Sequence, residues 1–209
     1  MWQGAVLKQY ARKPSLVKSN PAPQLILCSS MEEPTARWFE SSHGNKDKKG
    51  VSMRYFYDTE FVENGTTIDL ISIGIVADDG REYYAHLDDY DLNKAQAHEF
   101  VAANVLPYLE GVPRIPRAQV AREVAAFILP DSNPDLWGYF PSYDHVALAQ
   151  LYGTMMDLPS HIPMRTNCIA QLGQLVGEFP DIPNAGLHDA LADAKWTRDV
   201  FNRIIELTK

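Results

Sequence analysis

The stretch RYFYDTEF, at residues 54–61, constrains the fold of this chain more than any other feature. Its aromatic residues are typical of a buried β-strand, and buried strands seldom carry unpaired acids. Side chains alternate between the two faces of a strand, so Asp58 and Glu60 point to the same face. Two carboxylates this close repel one another unless one is protonated or a cation lies between them. The stretch therefore predicts a buried strand that contributes to a metal site.

The pattern that follows this strand predicts an α/β fold. TIDLISIGIVAD and REYYAHL are strand-like and are separated by the turns ENG and DDG, which predicts a three-stranded antiparallel meander. Helical spacing then alternates with one further short strand, DLWGYF. The predicted helices lie in LNKAQAHEFVAANVLPYL, PRAQVAREVAAFIL, SYDHVALAQLYG (with Ser142 as the candidate cap), NCIAQLGQLVG and HDALADAKWTRDVFNRIIEL. Three antiparallel strands followed by alternating strands and helices indicate a three-layer α/β fold.

Residues 1–52 differ in composition from the rest. They hold eight Lys and Arg against four Asp and Glu, and their first 23 residues contain no acid. An organelle transit peptide or a basic arm that contacts nucleic acid would fit this composition. We expect instead a basic, disordered extension over 1–52, with the folded domain at 53–209 and Met53 as a natural start.

The charge and the cysteines exclude several classes of protein. Residues 53–209 hold eleven Lys and Arg against twenty-three Asp and Glu, a net charge of −12. Such an acidic domain is unsuited to gripping long nucleic acid nonspecifically, although it is compatible with a small metal site that meets a nucleic-acid end. No apolar run is long enough for a transmembrane helix, so we expect no membrane partner. Cys28 and Cys168 lack zinc spacing and are interpreted as free thiols in a reducing compartment, which favours a cytoplasmic location.

Three further residues are candidates to complete the metal site. Asp144 follows a short strand in the first turn of a helix, where capping alone would also explain an acid. His188 and Asp193 are five residues apart and do not share a helix face. Their spacing fits a loop position for His188 and a position one turn inside the last helix for Asp193. There Asp193 flanks the apolar stripe of the helix, which suits a ligand that faces a sheet.

Taken together, these motifs resemble the DEDDh 3′–5′ exonucleases of the RNase H-like superfamily. The resemblance is carried by FYDTEF, by SIG at 72–74, by YDHVAL at 143–148 and by HDALAD at 188–193. Within that superfamily, FYDTEF with LISIGIVADDGREYYA is similar to the small bacterial and phage exoribonucleases close to RNase T, some of them polyadenylate-specific. The resemblance extends from Met53 to the C-terminus. It implies an RNase H-like three-layer α/β/α fold with a mixed sheet of five to six strands, the first three antiparallel.

The resemblance also implies a mechanism and partners. It implies that four carboxylates hold two Mg²⁺ ions, which Mn²⁺ could replace, and that His188 is the general base; the carboxylates are Asp58, Glu60, Asp144 and Asp193. The implied reaction is hydrolysis at RNA 3′ ends, in single strands or 3′ overhangs, with release of nucleoside 5′-monophosphates. A homodimer is implied by the resemblance alone.

Several alternatives stay open at this level. Phe61 is a candidate to stack on the terminal base of the substrate, but its strand position favours core packing. Tyr139, Phe140 and Tyr143 are likewise expected in the core more than on a stacking surface. The motifs do not distinguish ribose from deoxyribose, so a proofreading or repair DNA exonuclease is an alternative. A catalytically inert nucleic-acid-binding module is a second alternative, although all five motif positions are filled.

Overall fold

A computed structural model describes residues 52–128, 133–184 and 186–209, and the prediction for residues 1–52 lies outside these ranges apart from Ser52. The strands in the described ranges are β1 (Met53–Glu63), β2 (Ile68–Ala77), β3 (Glu82–Leu87), β4 (Arg114–Ile115), β5 (Pro134–Gly138) and β6 (Asn167–Cys168). The α-helices there are α1 (Leu92–Ala97), α2 (Glu99–Asn104), α3 (Arg117–Phe127), α4 (Ser142–Gln150), α5 (Ile169–Val176) and α6 (Ala190–Leu207). Short 3₁₀ helices lie at Leu106–Leu109 and Met155–Asp157.

The six strands of the described ranges form one mixed sheet in the order β4-β3-β2-β1-β5-β6. The pairs β1–β2 and β2–β3 are antiparallel, whereas β1–β5, β5–β6 and β3–β4 are parallel. The predicted meander and the predicted α/β class with a mixed sheet are therefore confirmed. The two-residue strands β4 and β6, one at each edge, were not predicted, because two residues are too few to show an alternating pattern.

Helices cover both faces of the sheet because β1 is apolar on both sides. Tyr55 and Tyr57 pack in one cluster with residues of α3 and α4, while Phe56, between them, packs in another with Val200 and Phe201 of α6. The alternation of side chains along a strand accounts for this division into two cores. The arrangement is the predicted three-layer one. No α-helix in the described part of the chain is long and apolar enough to cross a bilayer.

Two details of the helix predictions are wrong. The single helix predicted from Leu92 breaks at His98, whose backbone is extended and whose ring accepts the Val101 N–H at 3.4 Å, so that one side chain starts a new helix. Ser142 is not the cap of α4. The Ser142 N–H donates to the Phe140 carbonyl at 2.8 Å in a tight turn, and this turn places the serine one residue inside the helix, with Pro141 at the cap position.

The sheet opens at the carboxyl ends of β1 and β5. These parallel strands pair from Met53↔Pro134 to Phe56↔Trp137, after which β1 continues to Glu63 paired with β2 and no longer with β5. On its other side β1 pairs with β2, and the sheet continues there to β3 and β4, whereas β5 and β6 lie on the opposite side of β1, so the strand order reverses between β1 and β5. In open α/β sheets, ligands bind at such a reversal of strand order, beyond the carboxyl ends of the strands. Asp58 and Glu60 lie at this crevice.

Candidate active site

The carboxylates of β1 lie against the N-terminus of α6. In the β1–β2 ladder Asp58 is opposite Gly74 and Glu60 is opposite Ser72. A Cβ atom at Gly74 would collide with the backbone of Ala190 and Leu191, so only glycine lets the first turn of α6 rest on β2. The partial positive charge at a helix N-terminus is thereby placed beside buried acids, which it stabilises. This contact gives the SIG motif a structural role that the sequence alone did not assign.

Asp144 reaches the same crevice from the other face of the sheet. It is buried, and its Oδ1 atom accepts hydrogen bonds from the Thr59 backbone N–H at 3.0 Å and from Thr59 Oγ1 at 2.6 Å. The Thr59 N–H is directed toward the side of β1 where pairing with β5 has ended. Asp144 is therefore not the cap of its own helix, which has Pro141 at the cap position, and its side chain instead satisfies the open edge of β1.

His188 and Asp193 occupy the predicted loop and first-turn positions. Asp189 caps α6 by accepting the Ala192 N–H at 2.7 Å, and Asp193 lies one turn further along. Asp193 accepts the His188 backbone N–H at 2.8 Å and a second hydrogen bond from the Asn184 side chain. His188 has a φ of 69°, a left-handed conformation that costs a non-glycine residue about 1–3 kcal/mol and is typical of functional sites.

The imidazole of His188 lies beside the carboxylates. Donor atoms of Glu60, His188 and Asp193 lie within 4.8 Å of one another. The ring contacts Phe100 edge-on, with 4.7 Å between centroids, so an aromatic side chain of α2 limits its movement on one side. The structure thus brings together the predicted general base and the predicted ligands on β1 and α6.

Burial and mutual repulsion perturb the four carboxyl groups. Burial, followed by repulsion from Asp144 and Glu60, raises the pKa of Asp58 well above its usual range. Burial, followed by repulsion from Asp193 and Asp144, raises the pKa of Glu60 to about 9. Burial raises the pKa of Asp144 to about 6 even though the Thr59 donors lower it, and burial likewise raises the pKa of Asp193. The cluster therefore holds protons that a divalent cation would displace.

The donor set fits a hard divalent cation. Four buried or half-buried carboxyl groups offer only oxygen atoms, which Mg²⁺ and Mn²⁺ prefer, and no thiolate is among them. Burial lowers the pKa of His188, and the charge of Asp193 opposes that shift. A neutral imidazole able to accept a proton therefore persists near neutral pH.

Phe61 lies at the rim of the site. It is half-buried and stacks on Tyr143, with ring centroids 5.8 Å apart and planes 25° apart. The β1–β2 register shifts between Glu60 and Phe61, and such a bulge redirects the side chains beside it. Next to this pair is a groove of about 480 Å³ between the β1–β2 hairpin and α4, which Glu63 and Val146 help to line.

Core positions were predicted for Tyr139, Phe140 and Tyr143, and the prediction is confirmed for Tyr139. Tyr139 packs edge-on against Trp196 at 5.1 Å between centroids and is half-buried. Tyr143 and Phe140 are instead 51% and 43% exposed, so the core prediction is wrong for both. The tight turn before α4 presents these two rings to solvent on the side away from the core. Their exposure leaves them available for contact with a substrate.

Four residues of the site carried no prediction. Gly74, Asp189 and Asn184 position the first turn of α6 and its acid, and Phe100 contacts the imidazole. Asp189 was recognisable as an acid just before a helical pattern, which is a cap signal. Asn184 and Phe100 have no such signal, because their roles depend on contacts with residues distant along the chain or held in a loop.

A family model and several known proteins are similar to this chain. A family model described as the 3′–5′ exoribonuclease Rv2179c-like domain matches residues 53–205. Two 3′–5′ exoribonucleases of Mycobacterium tuberculosis, Rv2179c of strain ATCC 25618 / H37Rv and MT2234.1 of strain CDC 1551 / Oshkosh, are each 43% identical over 150 residues. The alignment covers 68% of this chain and 88% of each relative. A product-bound structure of exonuclease I is similar with a TM-score of 0.48 and 12% identity; the match covers 76% of this chain and 44% of that protein.

Proposed function

The chain belongs to the Rv2179c-like 3′–5′ exoribonuclease family, and on that premise we propose a metal-dependent mechanism that removes nucleotides from RNA 3′ ends. The observation that carries this proposal is the convergence of four carboxyl groups with raised pKa values on one crevice, with the imidazole of His188 beside them. Repelling buried carboxylates are unfavourable for folding unless a cation or a proton compensates them.

The proposed ligands of the divalent ions are Asp58, Glu60, Asp144 and Asp193. When bound, two Mg²⁺ or Mn²⁺ ions would stabilise the negative charge that develops on the attacking and leaving oxygens at phosphorus. Thr59 and Asn184 hold Asp144 and Asp193 in place through side-chain hydrogen bonds. The protein thus fixes the orientation of these carboxylates before the substrate arrives.

His188 is proposed to take a proton from the attacking water. Its neutral form at neutral pH can accept that proton, and the hydrogen bond from its backbone N–H to Asp193 fixes the loop that carries it. The water oxygen bonds to the phosphorus of the last phosphodiester linkage. The bond from that phosphorus to the 3′ oxygen of the preceding nucleotide breaks. That 3′ oxygen takes up a proton, and the products are a nucleoside 5′-monophosphate and an RNA one nucleotide shorter.

The pair formed by the half-buried Phe61 and the exposed Tyr143 is proposed to stack on the terminal base. Aromatic stacking is worth about 1–3 kcal/mol per base and tolerates different bases. The pair directly flanks two of the proposed ligands along the chain, because Phe61 follows Glu60 and Tyr143 precedes Asp144. A base stacked there would bring the terminal phosphate toward the carboxylates. The homodimer stays a prediction, which light scattering of the purified chain would test.

Digestion of matched oligonucleotides tests the proposed function. RNA labelled at its 5′ end, including polyadenylate, should shorten from the 3′ end and release nucleoside 5′-monophosphates with Mg²⁺ or Mn²⁺ but not with EDTA. Faster digestion of the matched DNA would favour the DNA exonuclease alternative. Binding of RNA without any hydrolysis in the presence of metal would favour the inert binding module. A suitable control is Glu206→Gln, which removes an exposed acid of α6 outside the cluster.

A further inference from the structure

A second cavity lies on the other side of α4, at the β6 edge of the sheet. Its volume is about 350 Å³, and Phe140, Ser142, Arg165, Thr166 and Gln171 are among the residues that line it. Pockets of this size can hold one nucleotide unit. Unlike the groove beside Tyr143, whose charged lining residue is the acid Glu63, this cavity is lined by a cation. The two cavities therefore differ in the ligand charge that they favour.

Arg165 is one of the cationic side chains that form no salt bridge in the described part of this acidic domain, as are Arg114, Arg122 and Lys209. The salt bridges found there occupy most of the cationic side chains, for example Arg54 with Asp78 and Arg117 with Asp89. Arg165 has no described carboxylate within 4.0 Å and donates instead to Asn167 Oδ1 at 2.5 Å. The amide nitrogen of Asn167 in turn donates to Asp135 Oδ1 at 2.6 Å, so this amide orients the guanidinium without neutralising it. An oriented, uncompensated guanidinium is suited to binding a phosphate.

The cavity is connected to the carboxylate cluster through the backbone and through hydrogen bonds. Phe140 and Ser142 lie four and two residues before Asp144 in the chain. On the sheet side, the Thr166 Oγ1 atom lies 2.6 Å from the hydroxyl of Tyr57, the residue before Asp58. The cavity is therefore lined by residues that are close in the chain to Asp144, a member of the cluster. An RNA strand whose 3′ end lies at the cluster would have to extend only a short distance to enter the cavity.

Phe140 supplies a surface for a base at the same place. Its φ of 52° lies in the left-handed region, which is costly for an aromatic residue, and 43% of its surface is exposed. The ring of Tyr139 contacts that of Phe140 edge-on, with 4.6 Å between centroids, and supports it on one side. A strained and supported aromatic side chain that is nevertheless exposed is a suitable stacking surface for a nucleobase.

From these observations we propose that the cavity is a subsite for an RNA nucleotide upstream of the scissile bond, with its phosphate on Arg165 and its base on Phe140. The subsite rests on the proposed exoribonuclease function, since it needs an RNA strand whose 3′ end lies at the carboxylates. The phosphate can come from an internal phosphodiester or from the terminal 5′-phosphate of a very short RNA. Both sources present the same oxygens to the guanidinium.

Equilibrium binding without catalysis tests the phosphate contact. The probe is a fluorescent ten-nucleotide RNA titrated in EDTA at several salt concentrations with the full chain, Arg165→Met, Arg165→Lys and Arg203→Met. Arg165→Met should weaken binding about tenfold and reduce the slope of log K against log salt by about 0.7, and Arg165→Lys should recover part of the affinity. Arg203 is an exposed cation of α6 paired with Glu206, and its variant should bind within about twofold of the original chain.

Modified RNAs then distinguish the sources of the phosphate. Single methylphosphonates at successive linkages should weaken binding by the original chain at one linkage, and Arg165→Met should be insensitive to the change at that linkage. If the ligand is instead a terminal phosphate, Arg165→Met should lose a preference for 5′-phosphorylated over 5′-hydroxyl dinucleotides. The proposal is overturned if neither effect depends on Arg165, if Arg203→Met loses as much affinity, or if the original chain does not bind the RNA.

The base contact has its own test. Asparagine tolerates a left-handed backbone, so Phe140→Asn removes the ring with little change in the turn. An abasic nucleotide at the assigned position should weaken binding by the original chain about tenfold and should leave binding by Phe140→Asn unchanged. Equal sensitivity of both proteins to the abasic position would overturn the stacking contact. Hydrolysis with Mg²⁺ is measured separately, so a chain that binds as expected but never cleaves refutes the proposed function without refuting the subsite.

Discussion

Two groups of buried polar side chains lie in one row across the sheet, and they differ in how their charges are satisfied. Ser72 of β2 is opposite Glu60 on one side and His86 of β3 on the other. His86 is 3% exposed, its Nε2 atom lies 3.0 Å from the Tyr90 hydroxyl, and its Nδ1 atom lies 3.4 Å from the Val112 carbonyl. The group around His86 therefore satisfies its own hydrogen-bonding needs.

The carboxylate group on the other side of Ser72 does not satisfy its own charges. Its hydrogen bonds from Thr59, Asn184 and the His188 backbone leave the acids buried and mutually repelling. Burial, followed by repulsion from neighbouring acids, accordingly raises the pKa of Glu60 to about 9. A satisfied buried polar group stabilises a fold, whereas a buried group of like charges needs a partner from outside the chain. By this criterion the group around His86 is structural, whereas the carboxylate group has the properties expected of a ligand-binding site.

The largest expected effect is that of Asp58→Ala on catalysis. Removal of a proposed metal ligand should reduce hydrolysis of labelled RNA by at least about 10³-fold. The same change removes one charge from a repelling group, so the metal-free variant should melt at the same temperature as the original chain or a few degrees higher. A clearly lower melting temperature without metal would contradict the view that this cluster is electrostatically strained.

His188→Ala should reduce turnover by roughly 10² to 10⁴ while affinity for metal and RNA changes little. The original chain should also show a rate that rises with pH through an ionisation below the usual histidine value, since burial lowers the pKa of His188. The variant should lose that part of the profile. Rescue by excess Mn²⁺ would indicate a metal ligand instead, and a variant that retains the pH profile with less than about a tenfold loss would remove His188 from the chemistry.

Gly74→Ala should damage the site by moving the helix that carries it. The added methyl group would collide with the backbone of Ala190 and Leu191, so the first turn of α6 must shift away from β2. We expect a loss of about 2–4 kcal/mol in unfolding free energy and a fall in rate of about tenfold or more. Gly80→Ala, in an exposed turn with a positive φ, is the control for backbone strain alone, measured by thermal melting and RNA hydrolysis.

His86→Ala should lower stability while leaving the catalytic rate nearly unchanged, which is the reverse of the result expected for Asp58→Ala. Loss of a buried ring that contacts Tyr90 and Val112 should lower the unfolding free energy by about 2–3 kcal/mol, measured by denaturant titration. The rate at saturating RNA should stay within about threefold of the original value. A rate loss comparable to that of His188→Ala would mean that the row across the sheet is one functional unit and not two different clusters.

The smallest effect is a pH dependence of stability in EDTA. The pKa of Asp144 rises from 3.8 to about 6 and that of Glu60 from 4.5 to about 9 on folding, so the folded chain holds these protons more tightly than the unfolded chain does. Stability from these two groups is therefore fully present below pH 4 and is lost as pH rises through about 6 and about 9. The metal-free melting temperature should fall by several degrees between pH 5 and pH 9, and saturating Mg²⁺ should flatten the curve. A metal-free melting temperature that rises over this range would contradict the assigned shifts.

Local pattern was sufficient to predict β1, the meander and the last helix. Alternating aromatic residues identified β1, and the apolar stripe through Ala194, Thr197, Phe201 and Ile204 identified α6, since both patterns follow from the geometry of a single element. Pattern was insufficient at His98, where one side-chain hydrogen bond divides a helix. It also failed for Tyr143, whose exposure depends on the turn before α4.

By itself the sequence determined which residue types the site has and which elements carry them, because a strand or a helix places its side chains by a fixed repeat. Only the tertiary structure decided which of them meet. Asp144 contacts Thr59 across 85 residues of chain, and the ring of Phe100 meets that of His188, because each pair is brought together by the packing of whole elements. The raised pKa values have the same origin, since burial and repulsion depend on distances through space and not along the chain.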